Sequence, residues 1–290
     1  TAKDMKSFYL NGNIVLLVSD GEKTSTYSLD AANGRQFNNL NTTLATDAWK
    51  NALVNENILY VLDGKTLKKT TNGQQYDTIM DNAPIDRLIA ASTKEIYGLD
   101  GNNNIMVSKD KGQTWNVDIM DSDSKYVPTD DISYIAIPFK YDNNSDYVLL
   151  AGNNATAAAY TDSTAFVWSK TIDKSIDDKE NKWTYYNYDS NSKSPLKSLD
   201  GLTLVCHGNY ILALGGKGLG ACKETAHAAI YFSLDNGLTW HNNDTIVYPY
   251  GFDKYNTAMA VCSDKDNYIW IVCNNTGQVW KGRMNEVAWQ

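Results

Sequence analysis

The sequence predicts an all-β chain made of repeated four-stranded sheets, a six-bladed β-propeller with seven blades as the alternative. Three observations predict it. The eight-residue phrase S-x-D-x-G-x-T-W occurs twice, as SKDKGQTW at 108–115 and SLDNGLTW at 233–240. Weaker copies place turn glycines at Gly34, Gly73 and Gly112, two successive intervals of 39 residues, and an interval near 40 is the length of one four-stranded blade. Pairs of short apolar runs separated by polar turns recur between these copies, and no helix of ordinary length is visible, the segment 44–52 (LATDAWKNA) being the best short candidate.

Each element follows in chain order. The paired apolar runs are SFYL with IVLLV, ALV with ILYVL, RLIAA with EIYGL, SYIAIPF with YVLLAG, LTLVC with YILALGG, and AMAVC with YIWIVC. Near-continuous apolar runs of this length are what strands buried on both faces look like, so these are the inner strands of six sheets. Asp-Gly pairs at 20–21, 63–64 and 100–101 fall between second and third strands, where a tight hairpin is needed.

Each octet ends one β-type stretch and begins another, as in Ile105-Met106-Val107 before the first and Trp115-Asn116-Val117 closing it, so each is an outer hairpin. In that hairpin Gly112 and Gly237 supply left-handed backbone, Asp110 and Asp235 accept backbone N–H groups, and Trp115 and Trp240 offer a flat packing surface. Ser108, Thr114, Ser233 and Thr239 complete the two copies. The copy at Ser28-Leu29-Asp30 with Gly34 and Phe37 and the copy at 69–76 precede them. Further hairpins are expected from Phe166-Val167-Trp168-Ser169 to Trp183 and from Val279-Trp280-Lys281 to Trp289. The gap of 125 residues between the octets fits three intervals of about 42 as well as two long ones, hence the seven-blade alternative. Six blades require polar insertions at 153–164, 171–181 and 216–227.

The phrase resembles the Asp box of bacterial neuraminidase repeats and related secreted propellers, where it sits on the outer hairpin of a blade, away from the active site. The chain as a whole is similar to Asp-box propeller domains, without an assigned activity, of secreted or surface-anchored bacterial proteins. That resemblance implies a structural role for the two octets and a secreted or cell-surface bacterial location. Sialidase activity is not expected. It needs three arginines around a substrate carboxylate, and of the three present Arg35 and Arg283 fall on outer turns, leaving Arg87 at the start of an inner strand. The phenylalanine-arginine-isoleucine-proline signature of that family is also absent.

Composition narrows the partners. A net charge of -8 and a pI near 4.9 repel nucleic acid and anionic membrane surfaces at long range. Three arginines against 23 lysines leave few places for bidentate anion recognition. No apolar run approaches the ~18 residues of a membrane span. The start at Thr1-Ala2-Lys3-Asp4 carries neither an initiator Met nor a signal pattern, so the expectation is one propeller domain over 1–290, monomeric, within a longer multidomain chain.

Candidate chemistry is sparse. Cys206, Cys222, Cys262 and Cys273 lack C-x-x-C spacing and read as buried small packers. Cys206, His207, Cys222 and His227 fit no zinc spacing, Gly215–Gly220 lacks the phosphate-loop pattern and reads as a flexible insertion, and Asp100–Asn104 departs from a calcium loop at Ile105 and Lys111. No metal or cofactor is expected. The connections between blades, which line the mouth of a propeller's funnel, carry Arg87, Asp86, Tyr126, Asp130, Asp131, Tyr188 and the run Tyr248, Tyr250, Phe252, Asp253 and Tyr255. Aromatic faces beside Asp and Asn hold sugar rings or peptide segments by stacking plus fixed hydrogen bonds. The expected ligand set is Tyr126, Asp130, Arg87, Tyr248, Tyr250, Phe252, Asp253 and Tyr255, in a non-catalytic module for glycan or protein. The alternatives are a glycoside hydrolase using two funnel carboxylates about 5–10 Å apart and a structural spacer.

Overall fold

The computed structural model describes residues 1–118 apart from 92, 93 and 103, and beyond them the strands at 135–140, 145–154, 164–173, 183–187, 199–207, 210–217, 229–233, 241–242, 258–263, 269–273 and 279–282. Every described element is a strand, and all pairings are antiparallel between chain neighbours. The first sheet holds β1 (Asp4–Leu10), β2 (Asn13–Ser19), β3 (Thr24–Asp30) and β4 (Asn38–Leu44). The second holds β5 (Ala52–Asn55), β6 (Ile58–Asp63), β7 (Thr66–Thr70) and β8 (Asp77–Met80), and the third β9 (Arg87–Ala91), β10 (Ile96–Leu99), β11 (Ile105–Ser108) and β12 (Asn116–Val117).

These three sheets make up one compact unit, Thr1–Asp118, and Ile119–Gln290 forms a second. In the second unit one sheet comprises β13 (Ile135–Lys140), β14 (Ser145–Asn154), β15 (Thr164–Asp173) and β16 (Trp183–Asn187). The next comprises β17 (Leu199–His207), β18 (Tyr210–Lys217), β19 (Ala229–Ser233) and β20 (His241–Asn242). The last contains β21 (Ala258–Ser263), β22 (Ile269–Cys273) and β23 (Val279–Gly282).

Within each unit the first strands of successive sheets are neighbours. β5 lies beside both β1 and β9, and β17 lies beside both β13 and β21. Strand alternation then sends each sheet's two faces to different neighbours. In the first unit Phe8, Leu10, Val15 and Leu17 of the first sheet close on Ala52, Leu59 and Val61 of the second. On the other face of the second sheet, Tyr60, Leu62 and Leu67 close on Leu88, Ile96 and Met106 of the third. The middle strands β6, β10 and β11 are accordingly buried on both faces. β1 departs from that expectation: Met5 and Tyr9, on the face turned away from the second sheet, are 60% and 62% exposed.

The turns obey local chemistry. Asn11-Gly12 and Glu56-Asn57 both take left-handed backbone at each position, φ 48° and 84° and then 48° and 60°, the geometry that matches strand twist in a two-residue hairpin. Of the three Asp-Gly sites only Gly64-Lys65 is a two-residue turn. The loops at 20–23 and 100–104 are longer because Asp20 and Asp100 fold them over their own carboxylates: Glu22 and Lys23 N–H donate to Asp20 Oδ1 at 2.9 Å, and Asn102 and Asn104 N–H to Asp100 Oδ1 at 2.8 Å.

Three sequence expectations are corrected. The segment 44–52 is no helix: between the end of β4 at Leu44 and the start of β5 at Ala52 it is a run of turns closed by Ala48 N–H to Ala45 O (3.1 Å) and Lys50 N–H to Asp47 O (3.0 Å). Gly215, Gly216 and Lys217 are not part of a loop but extend β18, opposite Leu202, Asp200 and Leu199, and strands likewise run into the expected insertions at 153–154, 164 and 171–173. Gly34 is not left-handed; it is required because a Cβ there would lie 2.5 Å from Asp30 O.

The other two turn glycines are required for a second reason. A methyl group at Gly73 would lie 2.9 Å from Val15 Cγ1, and one at Gly112 2.6 Å from Leu67 Cδ2, each contact being with the preceding sheet. We therefore expect Gly112→Ala to cost about 2–4 kcal/mol, combining the left-handed penalty with overpacking. Gly64→Ala, which has open space for the methyl, is expected to cost only about 1–2 kcal/mol. Urea midpoints of the two variants against the parent measure the difference.

Candidate functional site

Both octets lie between the third and fourth strands of their sheets: residues 108–115 between β11 and β12, residues 233–240 between β19 and β20. The first is described atom by atom. Ser108, fully buried, accepts Gly112 N–H at 2.8 Å and donates to Asp110 Oδ1 at 2.8 Å. Thr114 donates its N–H to Asp110 Oδ1 (2.8 Å) and its hydroxyl to Oδ2 (2.6 Å). Trp115 Nε1–H donates to Gly112 O at 3.1 Å while its ring packs on the core between the second and third sheets. Of the second octet Ser233 is described, and it too is fully buried; Asp235, Gly237, Thr239 and Trp240 lie outside the described residues.

This arrangement ties the serine, aspartate and threonine of the turn to one another and to its glycine. The Thr114 hydroxyl does most to hold the Asp110 carboxyl below the usual carboxylate range; partial burial opposes it, and the Thr114 N–H and Ser108 hydroxyl add to the lowering. A carboxylate committed to three donors in its own hairpin is spent on the turn, so the chemistry of the octet is internal.

The weaker copies keep the logic with altered parts. In the second sheet Thr70 replaces Ser and Asn72 replaces Asp, with one residue fewer. Thr70 Oγ1 accepts Gly73 N–H at 2.9 Å, and Asn72 Oδ1 accepts Gln74 and Gln75 N–H at 2.8 and 3.1 Å. Tyr76 takes the place of Trp115, packs on the core between the first and second sheets, and meets Thr26 Oγ1 of the first sheet at 3.4 Å. Burial is the main cause that pushes its phenol up to about 12. In the first sheet Asp30 Oδ1 accepts Ala32 and Asn33 N–H at 2.8 and 3.1 Å.

A meander of four strands puts the turns after the first and third strands at one end and the turn after the second, with the connection to the next sheet, at the other. Of the expected ligand residues Arg87 is described, and it lies at that second, connection end. Arg87, half-buried, opens β9 there and is engaged with another group. Asp86 is paired with Lys65, which also reaches Ile85 O at 3.5 Å. Tyr126, Asp130, Asp131, Tyr188, Tyr248, Tyr250, Phe252, Asp253 and Tyr255 lie outside the described residues, as do Arg283, Cys222 and His227 and the side chains of Cys206, His207, Cys262 and Cys273.

Most of the described carboxylates of the connection end are occupied, Asp4, Glu22 and Asp47 being the exposed exceptions. Asp20 holds two backbone N–H groups and is lowered by that of Glu22 first and that of Lys23 next. Asp63 accepts Ala45 N–H and the Lys68 ammonium, each at 2.5 Å. Asp81 accepts the Thr66 hydroxyl at 3.4 Å. Burial raises Asp100, but the Asn104 amide and N–H and the Asn102 N–H outweigh it and leave the carboxyl lowered. Among the described residues no group of three His, Cys, Asp or Glu side chains is placed to hold a metal ion, and no helix is long and apolar enough to cross a membrane.

Repeated antiparallel meanders with adjacent first strands and one recurring outer hairpin narrow the family, and residues 1–290 match the one described as the DUF6242 beta propeller domain. The chain belongs to that family. As a DUF6242 propeller it also matches solved structures. It is 18% identical to the Niastella koreensis GH74 enzyme over 96% of this chain, with a TM-score of 0.57, and spans 44% of that enzyme's length. YCF48 bound to D1 peptide aligns at 12% identity over 100% of this chain and 80% of its own, TM-score 0.57. The N-terminal domain of Nup159 aligns at 10% over 95% and 74%, TM-score 0.55. At these identities the likeness is one of fold. No curated protein matches the sequence.

In the DUF6242 propeller, sequence reasoning located the hairpins but missed Lys6, Trp49 and Lys50, which sit on and around the first two inner strands. The signal available for Lys6 was a lysine interrupting the β-type run Met5–Leu10. For Asp110 the expected outcome of substitution is specific. Asp110→Ala should lower stability by about 1–2 kcal/mol at neutral pH. Because the folded carboxyl is lowered from 3.8, its contribution is present above that value and is lost as pH falls through the folded pKa. Urea unfolding of both proteins from pH 7 to pH 2.5 should show the gap closing only at the acid end.

Proposed function

We propose that residues 1–290 form a single six-bladed propeller whose octets are Asp boxes, and that it serves as a non-catalytic, extracytoplasmic binding module for a glycan or protein at the connection end. Six sheets among the described residues support the blade count. The resemblance of the octets to those of secreted propellers supports the location.

The observation that carries the non-catalytic reading is the state of the acids. Asp20, Asp63, Asp81, Asp86 and Asp100, all at the connection end, each accept a hydrogen bond from the fold itself. A hydrolase needs one carboxyl free to give a proton and another free to attack or to activate water. These five instead fasten turns, which leaves Asp4, Glu22 and Asp47 as the unengaged acids among the described residues of that end. What that end offers a ligand is shape, amide groups and aromatic side chains, the materials of a binding face.

The aromatic run 248–255 is the proposed contact. Replacing Tyr250, Phe252 and Tyr255 together with Ala should abolish retention on a glycan or surface-protein array, with the melting temperature moving by less than about 3 °C. Unchanged retention in the folded triple variant, or turnover of chromogenic glycosides by the parent, overturns the reading.

A further inference from the structure

Lys6 is the third residue of β1 and shares a strand face with Phe8 and Leu10, whose side chains are buried against the second sheet. Its ammonium lies 5.5 Å from the centre of the Phe8 ring and donates to Ala52 O of β5 at 2.7 Å. An ammonium has three N–H donors and that carbonyl takes one. Among the described residues no carboxylate lies within ion-pair distance of it. Surrounding protein atoms crowd the group enough to push its pKa below the ordinary lysine value, while the side chain as a whole stays open to solvent. A cation partly stripped of water and lacking a counter-ion is stabilised by any anion that reaches it.

The same core has an aromatic edge. Trp49, in the connection that leads into β5, is half-buried and packs on the cluster containing Phe8 and Ala52. Lys50, exposed, holds its ammonium 5.4 Å from the centre of the Trp49 ring. Asp47, the acid of that segment, serves it through its carbonyl, which accepts the N–H of Lys50 at 3.0 Å and of Asn51 at 3.4 Å. Two ammonium groups and one indole thus accompany the entry to the second inner strand, at the end of the sheets read above as the binding face. We propose that Lys6, Trp49 and Lys50 form a subsite for an acidic sugar, with the carboxylate of a uronate held by Lys6 and its ring lying against Trp49. This rests on the connection-end reading and gives it a ligand class.

The combination favours a uronate over a bare anion because the cation comes with an apolar plate. Sugar rings present C–H faces that pack on indole, while the carboxylate supplies the counter-charge that the Lys6 ammonium lacks. A protein of net charge -8 gains little long-range attraction for anions, so local contacts must provide the affinity.

The test is an NMR titration of the protein carrying 13Cε-labelled lysine with glucuronate, with glucose and acetate as controls, on the parent, Lys6→Met and Trp49→Ala. Glucuronate is expected to shift the Lys6 resonance saturably and to raise its pKa, with at least tenfold weaker binding of both controls. The Lys6→Met variant, which keeps the apolar stem, is expected to lose glucuronate binding at least tenfold while its backbone spectrum stays that of the parent. An unmoved Lys6 signal, or equal shifts with acetate, overturns the proposal. Retention of the parent on a neutral-glycan array separates the two readings: neutral glycans held without a glucuronate response sink this subsite alone, and no retention of any ligand sinks the wider binding reading.

Discussion

The close seating of each outer hairpin on the sheet before it is the constraint from which the rest of the first unit follows. Gly73 sits against Val15 of the first sheet and Gly112 against Leu67 of the second, and neither position has room for a Cβ. The aromatic three residues later, Tyr76 or Trp115, then covers the core shared by the same two sheets. Glycine and aromatic therefore act together: one lets the ribbon approach, the other fills the volume that the approach encloses. Polar bonds add to the seat across sheets. Lys111 meets Glu56 at 3.3 Å, Asn11 donates to Thr71 O at 3.0 Å, and the Thr42 hydroxyl to Gln74 O at 3.0 Å. Surface pairs of this kind contribute little each, about 0–1 kcal/mol, so the apolar seat stabilises the arrangement more than they do.

That division of labour explains why the most conspicuous motif in the chain is not its functional site. Serine, aspartate and threonine together suggest catalysis when read as residue types. In place, Ser108 and Asp110 spend their lone pairs on Gly112 and Thr114, and the serine is sealed from solvent. The same accounting applied to Asp20, Asp63 and Asp100 turns an acidic surface into a set of fastened loops. Among the described residues Lys6 combines the lack of a counter-ion with access from solvent, which is why it and not the octet draws attention as a place for a ligand.

Much of the architecture was legible in the sequence because β-strand pairing and turn geometry are local. All six pairs of inner strands fall where the apolar runs placed them, since a run of four to six apolar residues bounded by Asn, Asp and Gly has few other solutions. The octets fall after equivalent third strands, and the bonds of the first are made within its own eight residues. What escaped was set by neighbours distant in sequence. The glycines were assigned to left-handed turns, which holds for Gly73 and Gly112, but their contact with the preceding sheet could not be read from spacing. The segment 44–52 has helix-forming residues, yet Ala45 N–H is taken by Asp63 Oδ1 and Ala48 and Ala52 belong to the core, so tertiary demands override propensity. Gly215-Gly216 read as a loop because glycine is a poor strand former, whereas pairing with β17 carries the strand through it. Of the candidate ligand residues only Arg87 is described, and Lys6 went unremarked because a single lysine in a strand carries no pattern.

The seating of Gly112 on Leu67 is most directly tested by a double-mutant cycle in urea unfolding. Leu67→Ala removes the atom that a new Cβ at 112 would strike, so Gly112→Ala should cost at least ~1 kcal/mol less in the Leu67→Ala background than in the parent, a coupling of the size seen for residues in contact. Equal costs in the two backgrounds would show that the hairpin tip does not rest on the second sheet, and the account of how the sheets are held together would fail with it.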